Sequence, residues 1–87
     1  MLTTNQLIKI FSHVKNNSDV SLDMSFIVDL SKYVKIDIDM TDSKTGYMSK
    51  INLLELSKSE IPDDMVYELV NNGWKLSKDK KNIEIFY

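Results

Sequence analysis

Three aspartates, Asp23, Asp37 and Asp39, come closest to a set of side chains able to do chemistry together. Asp37 and Asp39 are two apart in an alternating segment, and residues two apart on a strand share a face. If residues 20–30 form the neighbouring strand of a hairpin, Asp23 lies across from them, with Asp29 as a further member. Three carboxylates on one face supply oxygen ligands for Mg²⁺ or Ca²⁺. The same pattern also describes a solvated sheet face with Lys35 as counter-charge, and that explanation needs no ion. A third use is recognition, because an acidic stripe imitates phosphate spacing and fits a basic groove on another protein. We take Asp23, Asp37 and Asp39 as the candidate partner-binding residues and assign no catalytic, cofactor or metal role.

Other catalytic templates find little to work with. The chain has no Cys, so thiol catalysis and cysteine zinc sites are excluded. A serine triad would need His13 as its base, and His13 sits beside an apolar helical stripe where a boundary histidine is the plainer reading. The two glycines, Gly46 and Gly73, fall in no phosphate-binding pattern. The loop Asp42-Ser43-Lys44-Thr45-Gly46 is too poor in acids for an EF-hand. Lys78, Lys80 and Lys81 read as a solubilising hairpin tip.

One family likeness rests on Asn72-Gly73-Trp74-Lys75-Leu76 followed by Ile83-Glu84-Ile85-Phe86. This stretch resembles the first hairpin of pterin carbinolamine dehydratases. That family's activity implies a His-His-Pro site downstream, whereas the one histidine here, His13, lies upstream. The likeness is one of hairpin chemistry, and no activity, cofactor or site residue follows from it.

The elements that must position these residues are read from period. Leu7, Ile10, Phe11 and Val14 form a helical stripe, capped by Thr3 or Thr4 and ended by Asn16-Asn17-Ser18. Val20, Leu22, Met24, Phe26, Val28 and Leu30 alternate with polar neighbours, which predicts a strand. Met24, Ile27, Leu30 and Val34 also fit a helical face, so a helix over 24–34 is the competing reading. Val34, Ile36, Ile38 and Met40 predict a second strand, and Tyr47 to Leu56 a third with a break at Leu53-Leu54. Pro62, Asp63 and Asp64 open a second helix, which Gly73 closes. A hairpin from Trp74 to Tyr87 ends the chain, with Glu84 and Phe86 on one face. The expected fold is a single α+β domain over residues 1–87. It has a small, mainly antiparallel sheet in the order α-β-β-β-α-β-β, with two helices packed on one face.

Composition bounds the function. Net charge is −2, from eleven Lys, no Arg and thirteen acids. Arg is the preferred reader of phosphate and guanine, so no direct nucleic-acid binding is expected. Apolar runs do not exceed three residues, as in Phe26-Ile27-Val28, so no membrane partner is expected and the location is expected to be cytoplasmic. The expected function is a small non-enzymatic modulator or inhibitor that binds another protein stoichiometrically. Its size and acidic, Cys-free composition suit an anti-defence accessory protein of a phage or mobile element, of the anti-CRISPR type. Tyr33, Tyr47, Tyr67, Trp74, Phe86 and Tyr87 offer a second, aromatic contact surface. A homodimer joined through the edge of the strand Ile83–Tyr87 is the structural alternative, and a minimal carboxylate or divalent-cation enzyme a further one.

Overall fold

The computed structural model describes residues 2–13, 24–40 and 47–86. Helix α1 (Thr4–Ser12) begins in a capping box. Gln6 N–H donates to Thr3 Oγ1 at 3.2 Å, and Thr3 N–H donates back to Gln6 Oε1 at 2.8 Å. The expected stripe buries Leu7 and Phe11 with Ile8 and Ile10 half-buried, but α1 stops at Ser12 with His13 as its C-cap, short of the expected stop at Asn16-Asn17-Ser18; Val14 and that segment lie outside the described residues.

Residues 24–30 depart from the expected strand. They form helix α2 (Met24–Leu30), the competing reading. Burial follows the expected helical face at Leu30, which is 0% exposed, at Val34, which is buried, and at Ile27, which is half-buried; Met24, expected on that face, is more than half exposed, as is Val28. A strand would have placed Met24, Phe26, Val28 and Leu30 on one face and buried them together. Helical bonding runs on past Leu30, with Ser31 N–H donating to Ile27 O at 3.0 Å and Val34 N–H to Leu30 O at 3.2 Å.

Strand β1 (Asp37–Met40) takes up only the second half of the second alternating run, since Val34 closes the turn after α2 and Ile36 precedes the strand, and it pairs antiparallel with β2 (Tyr47–Asn52). The turn read at 42–46 lies outside the described residues. The third expected strand stops four residues short of Leu56, because Asn52 caps a short helix, α3 (Leu53–Lys58). Asn52 Oδ1 accepts Glu55 N–H at 3.0 Å. The doublet Leu53-Leu54 is therefore a change of period and no bulge: Leu53 and Leu56 are buried and Leu54 is exposed. Thr4 Oγ1 donates to Ser57 Oγ at 3.3 Å and ties α1 to α3.

Helix α4 (Asp63–Asn71) follows Pro62 as expected and buries Val66 and Leu69. It ends in a Schellman motif, with Trp74 N–H donating to Leu69 O and Gly73 N–H to Val70 O, both at 3.1 Å. Gly73 has φ 91°, the left-handed conformation that this motif needs and that glycine adopts without steric cost. The hairpin of β3 (Lys75–Leu76) and β4 (Asn82–Phe86) completes the sheet, whose order is β1-β2-β4-β3.

The fold is α+β with a small antiparallel sheet, as expected. Its described order is α-α-β-β-α-α-β-β, so four helices contribute where two were expected. Leu7, Leu30, Leu53, Leu56, Val66 and Leu69 from the helices join Ile51, Ile83 and Ile85 from the sheet in one core around Trp74.

Candidate functional site

Alternation along the two central strands decides what each face of the sheet carries. On β2, Ser49 and Ile51 are buried, while Met48 and Lys50 are half-buried and Asn52 is exposed. On β4, Ile83 and Ile85 are buried, while Asn82 and Glu84 are half-buried and Phe86 is exposed. The helices cover one face; the other, the open face, carries exposed Asp37, Asn52 and Phe86 among half-buried Met48, Lys50, Asn82 and Glu84. At the β1 edge the cover thins: Ile38, paired with Ser49 on the covered side, stays exposed.

Register lines up the open face. Asp37 is paired with Lys50, Lys50 with Glu84, and Glu84 with Lys75. Directly paired residues in an antiparallel ladder lie on the same face, about 5 Å apart at Cβ. One row across all four strands therefore reads Asp37, Lys50, Glu84, Lys75, with the sign of charge alternating at every step. On one side of this row Met48 is paired with Phe86, and on the other Asn52 with Asn82. The face thus has a charged middle, an apolar margin and an amide margin.

The β3–β4 turn borders this face and is held by its own side chains. Ser77 N–H donates to Asn82 O at 2.9 Å, and Asn82 N–H donates to Ser77 Oγ at 3.1 Å. Ser77 Oγ–H donates to Asp79 Oδ1 at 2.6 Å, and Lys81 N–H donates to the same oxygen at 3.0 Å. These two bonds, the Ser77 hydroxyl first, hold the Asp79 carboxyl below its usual value. Lys80 takes the left-handed conformation at φ 60°. Face and turn together line an open groove of about 370 Å³, with Met48, Lys50, Ser77, Lys78, Asp79, Asn82 and Glu84 on its walls. Both signs of charge line it, which suits a protein surface of complementary pattern better than a simple anion or cation.

The chain matches none of the family models, curated proteins or solved structures with which it was compared.

The expected acidic stripe is reorganised by this geometry. Asp37 is exposed on the open face, but Lys35 Nζ lies 3.8 Å from its carboxylate and Lys50 stands opposite it. Asp39 takes the register position opposite Met48. Asp23 lies outside the described residues, and the hairpin expected to bring residues 20–30 across from β1 does not form, because 24–30 is helix α2. Asp29 is on α2 and pairs with Lys32 at 3.4 Å, so it does not join the sheet face. Among the described residues no three His, Cys, Asp or Glu side chains gather as a metal-holding group. His13 is exposed at the end of α1. Of the aromatics, Trp74 is core, while Tyr33, Tyr67 and Phe86 are exposed and Tyr87 lies outside the described residues. The strand read as a pairing edge, Ile83–Tyr87, contains β4, which is interior between β2 and β3. No helix among the described residues is long and apolar enough to cross a membrane.

Sequence reasoning passed over Lys50, Glu84, Lys75 and Met48 as members of one surface. The alternation in Met48–Ile51 and Ile83–Phe86 signals which of them face outward, and Glu84 with Phe86 was legible from it. Their alignment into a row depends on register between distant segments, for which the chain carries no local signal.

Proposed function

We propose that this chain is a non-catalytic module that modulates another protein by stoichiometric contact through the open face of its sheet. The observation that carries this reading is the row Asp37, Lys50, Glu84, Lys75 beside the cross-strand pair of half-buried Met48 and exposed Phe86. Protein interfaces combine an apolar anchor with a polar surround that sets register, and this face offers both. The candidate residue Asp37 belongs to this surface, as one sign within a mixed pattern. Size and acidic, Cys-free composition support an anti-defence accessory role in a phage or mobile element.

Affinity capture from host lysate tests the reading. The bait is tagged wild-type chain beside a Lys50→Glu, Phe86→Ala variant and a Tyr67→Ser variant altered on exposed α4, each checked for folding by circular dichroism. The expected result is one stoichiometric partner, held by wild type and by Tyr67→Ser and lost from the face variant. Equal recovery by all three moves the contact off this face. Recovery of the chain alone overturns the modulator reading in favour of a structural oligomer.

A further inference from the structure

We propose that the open sheet face pairs with a second copy of itself, around a two-fold axis running parallel to the strands. This rests on reading the open face as a contact surface and adds a first occupant to it.

An alternating row with an even number of members reverses sign when it is read backwards. Asp37, Lys50, Glu84, Lys75 is such a row, one residue from each of β1, β2, β4 and β3. Stack two open faces and turn one about an axis along the strands. β1 then lies over the second copy's β3, and β2 over the second copy's β4. Asp37 meets the second copy's Lys75, and Lys50 meets the second copy's Glu84. The symmetry repeats both contacts, so every charge in the row faces its opposite. The same operation leaves position along the strands unchanged, so Met48 meets the second copy's Phe86 and Asn52 the second copy's Asn82. The other face-to-face two-fold, with its axis across the strands, lays the row on itself with Asp37 over Asp37 and Lys50 over Lys50. Charge pattern therefore selects one arrangement, in which the mean strand directions stay aligned as in packed antiparallel sheets. An isologous contact of this kind closes on itself as a dimer.

Size sets the strength. Four strands about 4.8 Å apart, with about five residues at roughly 3.4 Å each, make a face of about 300 Å². A standard interface takes about 800 Å² from each partner. The dimer is accordingly weak, and a larger partner surface displaces it.

Sedimentation velocity over a concentration series up to about 1 mM, in low salt, tests the proposal. Wild type is expected to pass from monomer to dimer with concentration and to return towards monomer as salt rises. Lys50→Glu and Glu84→Lys, each alone, create two like-charge contacts by symmetry and are expected to weaken the dimer about tenfold or more. Mixing the two variants in equal amounts is the decisive step. The new carboxylate at position 50 of one chain then faces the new ammonium at position 84 of the other, and the unaltered Glu84 and Lys50 face each other. Association is expected to return. Neither chain changes on mixing, so folding defects within a chain do not produce this rescue. Wild type that stays monomeric throughout, single variants that dimerise as wild type does, or a mixture that stays monomeric overturns the proposal. A monomeric chain that still loses a captured partner on alteration of this face would sink the dimer and leave the modulator reading standing.

Discussion

The Ser77 hydroxyl donates a 2.6 Å hydrogen bond to Asp79 Oδ1, two residues on, within the β3–β4 turn. The same carboxylate oxygen receives Lys81 N–H at 3.0 Å, so one acid organises the turn that borders the open face. Both bonds favour the charged carboxylate and lower its folded value below the ordinary 3.8. A lowered acid stabilises the fold above its unfolded value, and that contribution is lost as pH falls through the folded value. Asp79→Asn keeps an acceptor oxygen and removes the charge. Wild type is expected to melt above this variant, by an amount constant above about pH 5 and shrinking below 3.8. A melting-temperature gap independent of pH would show that the charge is immaterial.

Lys80, in the same turn, carries φ 60° without being glycine. A Cβ in the left-handed region costs about 1–2 kcal/mol, which glycine escapes at some expense in unfolded-state entropy. Lys80→Gly is expected to raise stability by about 0.5–1 kcal/mol in urea titration. Unchanged or lower stability would mean that the lysine side chain compensates the turn in another way.

Leu30 and Val28 separate helix from strand at α2. Leu30 is 0% exposed and Val28 is 56% exposed. Leu30→Ala is expected to cost about 3 kcal/mol, since a buried leucine leaves a cavity. Val28→Thr is expected to fall within about 0.5 kcal/mol of wild type. Comparable losses at both positions in chemical denaturation would return this segment to a strand.

Asn52 ends β2 and starts α3 with one side chain, through the 3.0 Å bond it accepts from Glu55 N–H. Asn52→Ala is expected to cost about 1 kcal/mol, the usual value of an N-cap, whereas Asn52→Asp retains most of the stability. If the two variants are equally destabilised, the loss belongs to the sheet face and not to the cap.

Much of the fold was legible because its signals are short-range. Thr3 or Thr4 announces the N-cap of α1 just ahead of its apolar stripe, and Pro62, Asp63 and Gly73 mark both ends of α4. The closing hairpin declares itself by alternation on either side of a polar turn. Residues 24–30 were ambiguous because alternation and a helical stripe share Met24 and Leu30, and local pattern does not choose between them. Asn52 was overlooked as a cap because its neighbours Ile51 and Leu53 continue the alternating run. Of the candidate site, Asp37 and Asp39 were placed on one strand correctly and Lys35 was legible as counter-charge to Asp37, while Lys50, opposite Asp37, was hidden in a segment farther along the chain.

Local chemistry alone determined the α+β class, the N-cap of α1, the two ends of α4, the absence of a cysteine framework and the outward set of Glu84 and Phe86. Each of these depends on residues a few positions apart, where caps, turns and period act directly. Tertiary structure alone decided that 24–30 is a helix, because burial of Leu30 and Val34 in the common core outweighs an alternating pattern that leaves Val28 in solvent. It alone set Asp37, Lys50, Glu84 and Lys75 side by side, because register is a property of paired strands and belongs to no single segment.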